Sequence, residues 1–273
     1  MNDRSIKILD ILSANKKVKI TLLAEMLDVS FVTLRKDLDS LEKRGFICRT
    51  HGNVSLDGAD STGKRMAIKY SIKRRIVKAA AQTVEDGETI MLESGSCCAL
   101  LAEELALAKK NISIVTNSVY IANYVCKMNN VKIILLGGIF QPESQVLVGP
   151  ITAKSARNLF FDKFFLGTDG FISEYGFTGR DHLRVETAAK LAKQAKKVFI
   201  LTEAAKFQRR GAYSLLRFDK LTGVFTDDTI PKEAEDALMK NNVAINKIPS
   251  AEEKVVWHQF SGQPPILYKE KEN

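Results

Sequence analysis

LAEMLDVSFVTLRKDLDSLEKRGFICRTHGNV, running from Leu23 to Val54, is the stretch on which the reading of this chain turns. Leu34, Leu38 and Leu41 recur at i, i+4 and i+7, the spacing of one buried helix face, and Gly45 supplies a residue type that ends helices. Ser30 stands where an N-cap belongs, so a helix is expected over FVTLRKDLDSLEKR, with Thr33, Arg35 and Lys36 on its other face. Asp28-Val29-Ser30 reads as a turn. Before it, Leu22, Leu23, Ala24, Met26 and Leu27 form a brief helix for which Thr21 is the expected N-cap. Two short helices across a tight turn, the second opening on small polar and basic residues, allow a helix N-terminus to enter the major groove of duplex DNA.

On the N-terminal side, Ile6, Leu9 and Leu12, widened by Ile8 and Ile11, predict an amphipathic helix ending near Asn15. A short apolar stretch, Val18 to Ile20, leads into the second helix. On the C-terminal side, Phe46–Arg49 and Val54–Leu56 read as two short strands around a turn at His51-Gly52-Asn53, a wing. Charge agrees. Residues 1–78 hold 17 Lys/Arg and 9 Asp/Glu of the chain's 41 and 32, which leaves 24 and 23 for the remainder. The excess of +9 is therefore concentrated at one end, as a binder of phosphate backbones requires. Thr21, Ser30, Thr33, Arg35, Lys36, Arg49 and His51 are the candidate DNA contacts.

The same stretch resembles the signature of the DeoR family of bacterial sugar-metabolism regulators, matched in spacing from Leu23 to His51. It departs from the family pattern at Lys36, where a second arginine is usual, and at Asn53, where glycine is usual. Lysine lacks the planar fork of arginine, so base preference at that position is expected to differ.

With 273 residues and 45% apolar content the chain can bury one large core and one small one. The expected division is a winged helix-turn-helix over 1–57, a linker and the start of a connecting helix over 58–74, an α/β domain over 75–250, and a tail over 251–273. Asp57–Gly63 (DGADSTG) is the hinge. Lys64, Arg65, Lys69, Lys73, Arg74, Arg75 and Lys78 accompany Ile68, Ile72, Ile76 and Ala80, a row that predicts one helix whose charges face DNA or solvent. No apolar run is long enough to span a bilayer, and MNDRSIKILDIL lacks a small-residue cleavage site, so the cytosol is expected and no membrane partner. Cys48, Cys97, Cys98 and Cys126 have no metal-ligand spacing and read as reduced thiols. Neither a metal nor a cofactor is called for.

After Asp86-Gly87, TIMLE, ISIVT, VKIILL, KFFLGT, VFILT, LTGVFT and VAINK alternate with helical stretches ending at Ala108 and Met128 or lying at 151–159, 184–196 and 231–240. This rhythm predicts a mostly parallel sheet covered by helices, with ligands beyond the carboxyl ends of its strands. The loops there are unusual. Glu93-Ser94-Gly95-Ser96-Cys97-Cys98 leads from strand to helix N-terminus and suits a phosphate. Thr116-Asn117-Ser118, Gly137-Gly138 and Leu166-Gly167-Thr168-Asp169-Gly170 follow, then Glu186, Lys190 and Lys206.

In that order the loops resemble the DeoR-type sensor domain, which shares its fold with ribose-5-phosphate isomerase; the likeness spans residues 3 to about 250. It implies that Ser94, Gly95, Ser96, Cys97 and Cys98 form a phosphate loop, that Asp169 meets sugar hydroxyls and that Lys206 approaches an anion or carbonyl. Thr116, Asn117, Gly137, Gly138 and Glu186 complete the implied effector set. Cys97 and Cys98 replace the family's hydroxyl residues, Glu203-Ala204-Ala205 replaces Asp-Ser-Ser, and Val185 replaces a common carboxylate. The adjacent thiols, at a helix N-terminus, also raise a redox sensor; packing of two small apolar side chains is the simpler reading.

The expected function is a sequence-specific transcription regulator, a repressor of a carbohydrate-utilisation operon, released from operator DNA by a phosphorylated sugar. Helix-turn-helix proteins bind paired half-sites, so a homo-oligomer is expected. A sugar-phosphate isomerase using Asp169, Glu186 and Lys206 is the rival from another class, although an enzyme has no need of residues 1–57. A constitutive DNA-binding protein with a degenerate sensor is the third.

Overall fold

Asn2 caps the first helix, α1 (Asp3–Ala14), its side chain accepting from the Ser5 N–H at 2.8 Å. The computed structural model describes residues 1–56, 61–250, 253–258 and 266–271. They fall into two compact units. The first gathers Met1–Ser71 with the C-terminal strands, and the second is Ile72–Ser250. Ile8, Leu9, Ile11 and Leu12 of α1 are buried, as the helical spacing requires.

β1 (Val18–Lys19) precedes α2 (Ile20–Met26), and after the turn comes α3 (Phe31–Lys43). Thr21 is not the cap of α2. Val18 and Lys19 pair with the wing, which brings the helix start forward to Ile20 and leaves Lys19 as a cap residue without a side-chain bond. Ser30 does cap α3, accepting from the Thr33 N–H at 3.3 Å. Leu34, Leu38 and Leu41 turn inward at 0–1% exposure as α3 packs on α1 and α2, whereas Ile6, Met26 and Leu27, also expected on the apolar faces, are only half-buried. Asp37 is buried beside them and accepts from Asn2 (3.1 Å) and Arg4, tying α3 to the start of α1. β2 (Ile47–Thr50) and β3 (Asn53–Leu56) form the wing, a three-stranded sheet in the order β1-β3-β2.

The single helix expected after the hinge is two. Ser61 caps α4 (Thr62–Ala67); Ile68 is then extended, Lys69 is left-handed (φ 53°), and α5 (Tyr70–Gln82) follows. A four-residue apolar row does not register a break at one backbone angle. Residues 57–60, in the predicted hinge, lie outside the described residues, as do 251–252, 259–265 and 272–273 of the predicted tail.

The second unit is built on seven parallel strands: β4 (Thr89–Leu92), β5 (Ile112–Thr116), β6 (Val131–Leu135), β9 (Phe161–Leu166), β12 (Ala195–Leu201), β14 (Gly223–Asp227) and β15 (Ala244–Ile248). Around them, in chain order, run α6 (Ser96–Ala108), α7 (Val119–Val125), the hairpin β7 (Ile139–Gln141) and β8 (Val146–Val148), α8 (Pro150–Ser155), β10 (Gly170–Ile172) and β11 (Gly176–Gly179). α9 (His182–Ala192), β13 (Tyr213–Leu216) and α10 (Lys232–Lys240) complete the unit; β16 (Glu253–His258) and β17 (Ile266–Lys271) pair in the tail. β10, β11 and β13 form a small antiparallel sheet that alternation of β and α runs does not anticipate. Three helices are shorter than expected, and the first, α7, stops at Val125 rather than Met128. α8 stops at Ser155, and α9 stops at Ala192 because Ala195 already pairs with Phe161.

Strand order is β15-β14-β12-β9-β4-β5-β6. From β4 the chain winds outward to β5 and β6; from β9 it winds the other way, through β12 and β14 to β15. The direction reverses between β4 and β9, and at such a point the loops leaving neighbouring strands diverge and open a crevice. The loops at residues 93–98 and 167–169 leave the sheet there.

Candidate nucleic-acid interface and anion crevice

Ser30, Arg35 and Lys36 are exposed at the start of α3, with Thr33 half-buried and bonded through its hydroxyl to Ser30 Oγ at 3.0 Å. Thr21 lies across a shallow depression of about 300 Å³ whose lining also includes Glu25, Asp28 and Phe31. Those two carboxylates make the depression unsuited to a phosphate. His51 is exposed at the tip of the wing in a left-handed conformation (φ 47°). Arg49 differs. Its guanidinium is held by Glu42 and Asp39 of α3, with Nε to Glu42 Oε2 at 2.9 Å and Nη1 to Asp39 Oδ1 at 2.7 Å, and its backbone N–H donates to Glu42 Oε1 at 3.1 Å. The hydrogen bonds from Arg49 hold the Glu42 carboxyl below its ordinary range. Arg49 therefore fastens wing strand to helix.

Of the basic residues after the hinge, two in the second unit are turned onto carboxylates of that unit. Lys73 is 2% exposed and pairs with Glu203 at 3.7 Å, and Arg74 pairs with Glu104 at 2.7 Å.

In the crevice, Gly95 takes φ 124°, which only glycine adopts readily, and starts α6. The first intrahelical bond runs from Ala99 N–H to Gly95, so the N–H groups of Ser96, Cys97 and Cys98 precede it and carry the positive end of the helix dipole. Ser94 is buried and donates to Glu93 Oε1 at 2.8 Å. Arg184, from α9, reaches both: Nη2 lies 3.0 Å from Ser94 Oγ and 3.3 Å from Glu93 Oε1. The negative charge of Glu93 holds the Arg184 guanidinium above its ordinary range, with smaller contributions from Asp169 and Asp181. Asp181 caps α9, accepting from Arg184 N–H at 2.8 Å, and takes a bond from Gln141 at 3.2 Å.

Asp169 accepts from the Arg180 N–H at 3.0 Å. Lys206 sits on a 3-10 turn (Ala204–Lys206) after β12, and burial lowers its pKa against the opposing pull of Glu203 and Asp169. Ser94, Asp169 and Lys206 thus share one network of charges with Arg184, Glu93, Glu203 and Lys73. Spacing does not reveal Arg184, because its partners stand 90 and 91 residues away.

The other sequence-derived candidates are placed differently. The Cys97 and Cys98 side chains are buried, and loss of hydration pushes the Cys97 thiol up to about 12 and Cys98 well above its usual value. That is the opposite of the activation a redox sensor needs. Thr116 Oγ1 is spent on Leu92 O at 2.7 Å. Asn117 donates to Leu147 O at 2.9 Å, and its buried Oδ1 has no partner among the described residues. Gly138 has a packing reason: a Cβ there would lie 1.9 Å from Thr152 Oγ1. Gly137 is exposed in the same turn. Glu186, 40% exposed, pairs with Lys190 at 2.6 Å, one turn along α9.

A helix-turn-helix whose second helix opens on exposed Arg35 and Lys36, followed in the chain by a parallel α/β unit with a polar crevice, is the architecture of a ligand-sensing transcription regulator. The models of two domains match: the DeoR-like helix-turn-helix domain at residues 4–59 and the DeoR C terminal sensor domain at 68–228. The chain belongs to the DeoR family. It is 26% identical over 254 residues to a putative aga operon transcriptional repressor of Escherichia coli O157:H7, covering 89% of this chain and 93% of that protein. To the HTH-type transcriptional regulator GolR of Listeria innocua it is 30% identical over 234 residues, covering 84% and 92%. Among solved structures, ribose 5-phosphate isomerase A from Methanocaldococcus jannaschii aligns with a TM-score of 0.37 at 16% identity, over 51% of this chain and 55% of that one.

Proposed function

We propose that this regulator represses a carbohydrate-utilisation operon from the cytosol, as a homo-oligomer, and that a phosphorylated sugar in the β4/β9 crevice lowers its affinity for operator DNA. One observation carries the sensing half of this reading: the reversal of winding between β4 and β9 coincides with the loop that presents the α6 N-terminus, Ser94 and Arg184. Backbone N–H groups at a helix start and a guanidinium suit a phosphate. Asp169 and the buried Asn117 Oδ1, unpaired among the described residues, suit the hydroxyls of a sugar, and Lys206 suits its carbonyl. Ser30, Thr33, Arg35, Lys36 and His51 serve as DNA contacts, while Arg49 acts by positioning the wing.

An isomerase needs an acid or base within reach of a shared substrate atom. Glu186, paired with Lys190 on a largely exposed face of α9, is poorly placed for that task. A gel shift on DNA upstream of the protein's own gene, repeated with a panel of sugar phosphates, tests the proposal. Retardation relieved by one member of the panel supports it, and retardation insensitive to all of them refutes the sensing half. Deleting the gene should raise expression of the target operon; a fall would reverse the direction of control. Asp169→Ala should keep operator binding and lose the response, since the two activities reside in separate units.

A further inference from the structure

The outward face at the start of α3 is not wholly polar. Val32 is 68% exposed and Phe31 56%. Val32, Arg35 and Lys36 stand at i, i+3 and i+4 and share one face of the helix. Phe31 continues the Leu34–Leu38–Leu41 stripe by one step toward the helix N-terminus, past the end of the core, and its ring helps line the depression beside Thr21 and Ala24. Single exposed apolar residues on a surface are ordinary. Two in succession, at the first helical positions and flanked by two cations, fall where a recognition helix meets base edges.

We infer that Phe31 and Val32 are specificity-determining residues that contact the C5-methyl groups of thymines in the operator's major groove. The inference rests on the reading of α3 as the groove-entering helix. Charge complementarity selects the occupant: although Glu25 and Asp28 line the depression that Phe31 also lines, Arg35 and Lys36 draw the Val32 face onto a polyanion, and within the major groove the apolar group available to meet Val32 and Phe31 is the thymine methyl. A hydrocarbon side chain cannot hydrogen-bond a base edge, so this contact discriminates thymine from cytosine by shape and desolvation. Arginine or lysine at 35 and 36 would add the guanine or phosphate contacts. Residue types 31 and 32 would then set which A·T positions each half-site requires.

The test uses the full chain and the duplex it enriches most strongly from a random pool. Each thymine is replaced in turn, in both half-sites, by deoxyuridine, which removes one methyl group and leaves base pairing intact. Affinity is read by fluorescence anisotropy at fixed salt. Wild type should lose about fourfold per lost methyl contact, the ratio for burying one CH₂ group. Val32→Ala and Phe31→Ala should each bind the thymine and uracil duplexes alike at one of those positions, and Val32→Ile should restore the discrimination. Both alanine variants should melt with the wild type, because the side chains removed are mostly exposed. Wild-type indifference to uracil at every position would overturn the inference while leaving the helix in the groove. Discrimination that survives both alanine variants would overturn it equally. A changed oligomeric state with unchanged discrimination would assign the patch to a protein contact and overturn it. Enrichment of no sequence at all would sink the reading of α3 itself, and this inference with it.

Discussion

Replacing Arg49 with methionine separates two roles that a wing arginine can have. In the folded unit its guanidinium meets Glu42 and Asp39 of α3, with 26% of the Arg49 side chain and 37% and 44% of the two carboxylate side chains exposed. Pairs so open to solvent contribute about 0.2–1 kcal/mol each, so the two together stabilise by roughly 1 kcal/mol. That amount lowers the melting temperature by about 2–8 °C, the larger figure applying if the small unit melts independently. Because the wing of the variant stays docked in most molecules, binding should weaken by no more than about fivefold, on operator and random duplex alike. The slope of log affinity against log salt should not change, because a guanidinium already neutralised by two carboxylates releases no counterions from DNA. An arginine that contacts a phosphate would instead reduce that slope by about 0.9. The sign with pH follows from Glu42. Its carboxyl is depressed in the folded state, so the stabilisation is present above its unfolded value and is lost as pH falls through the folded one. Below that window wild type and Arg49→Met should melt together. A reduced salt slope with an unmoved melting temperature would show that Arg49 leaves α3 to reach DNA, and would refute the positioning role.

Lys206→Met should abolish the sugar-phosphate response yet raise stability at neutral pH. Burial depresses the folded pKa of this lysine, so its penalty is full below that value and vanishes as pH rises to the unfolded one; the gain in melting temperature should shrink over the same window. Arg184→Met strands the Glu93 carboxylate, only 6% exposed, and should cost about 1–3 kcal/mol, less than a fully buried pair because 28% of the Arg184 side chain is exposed. Adding Glu93→Gln should recover the melting temperature but not the effector response; recovery of both would remove Arg184 from the sensor. Mild oxidant should leave operator binding and effector response unchanged over minutes, since the thiols of Cys97 and Cys98 are buried and protonated. Rapid loss that a Cys97→Ser, Cys98→Ser variant escapes would restore the redox sensor.

The helix-turn-helix was legible because its evidence is local. Three leucines, a capping serine and a terminating glycine lie within sixteen residues, and helical period alone puts Leu34, Leu38 and Leu41 on the buried face. The parallel sheet was legible from alternation, which fixes strand and helix type but not strand order. What escaped depends on pairing across long intervals of chain or on a single backbone angle. Lys69 at φ 53° divides one expected helix into two without disturbing the apolar row. Val18 joins the wing through Val54, and that pairing moves the start of α2 away from Thr21. Arg184 looks like any helical surface cation until Glu93 and Ser94 arrive from another strand-to-helix loop. Arg49 reads as a DNA contact because wings carry basic residues, and only the positions of Glu42 and Asp39 on the same side of α3 show what it holds.

The two cysteines in the anion loop bear on whether the sensor is degenerate. Family resemblance places hydroxyl residues at 97 and 98, and losing both removes two donors from a would-be phosphate site. The side chains at these positions, however, are buried, and Cys98 Sγ lies 3.6 Å from Phe165 O, inside the β4–β9 core. Their N–H groups still head α6, and a backbone donor does not depend on the side chain attached to it. A helix N-terminus alone supplies partial charge, which is weak compensation for the dianionic phosphate of a sugar ester. Arg184, 3.0 Å from Ser94 Oγ, adds a full charge with a planar fork of donors and is half-buried against Glu93 and the loop. On the proposed function, the substitution would therefore change how an anion is held more than whether it is held. In the proposed binding mode this guanidinium stands beside the backbone donors, and its present partner, Glu93, must be partly released when a ligand enters. If the proposed effector binds here, opening the Arg184–Glu93 pair is the step at which binding would cost energy, and the place where selectivity among phosphorylated sugars would be set.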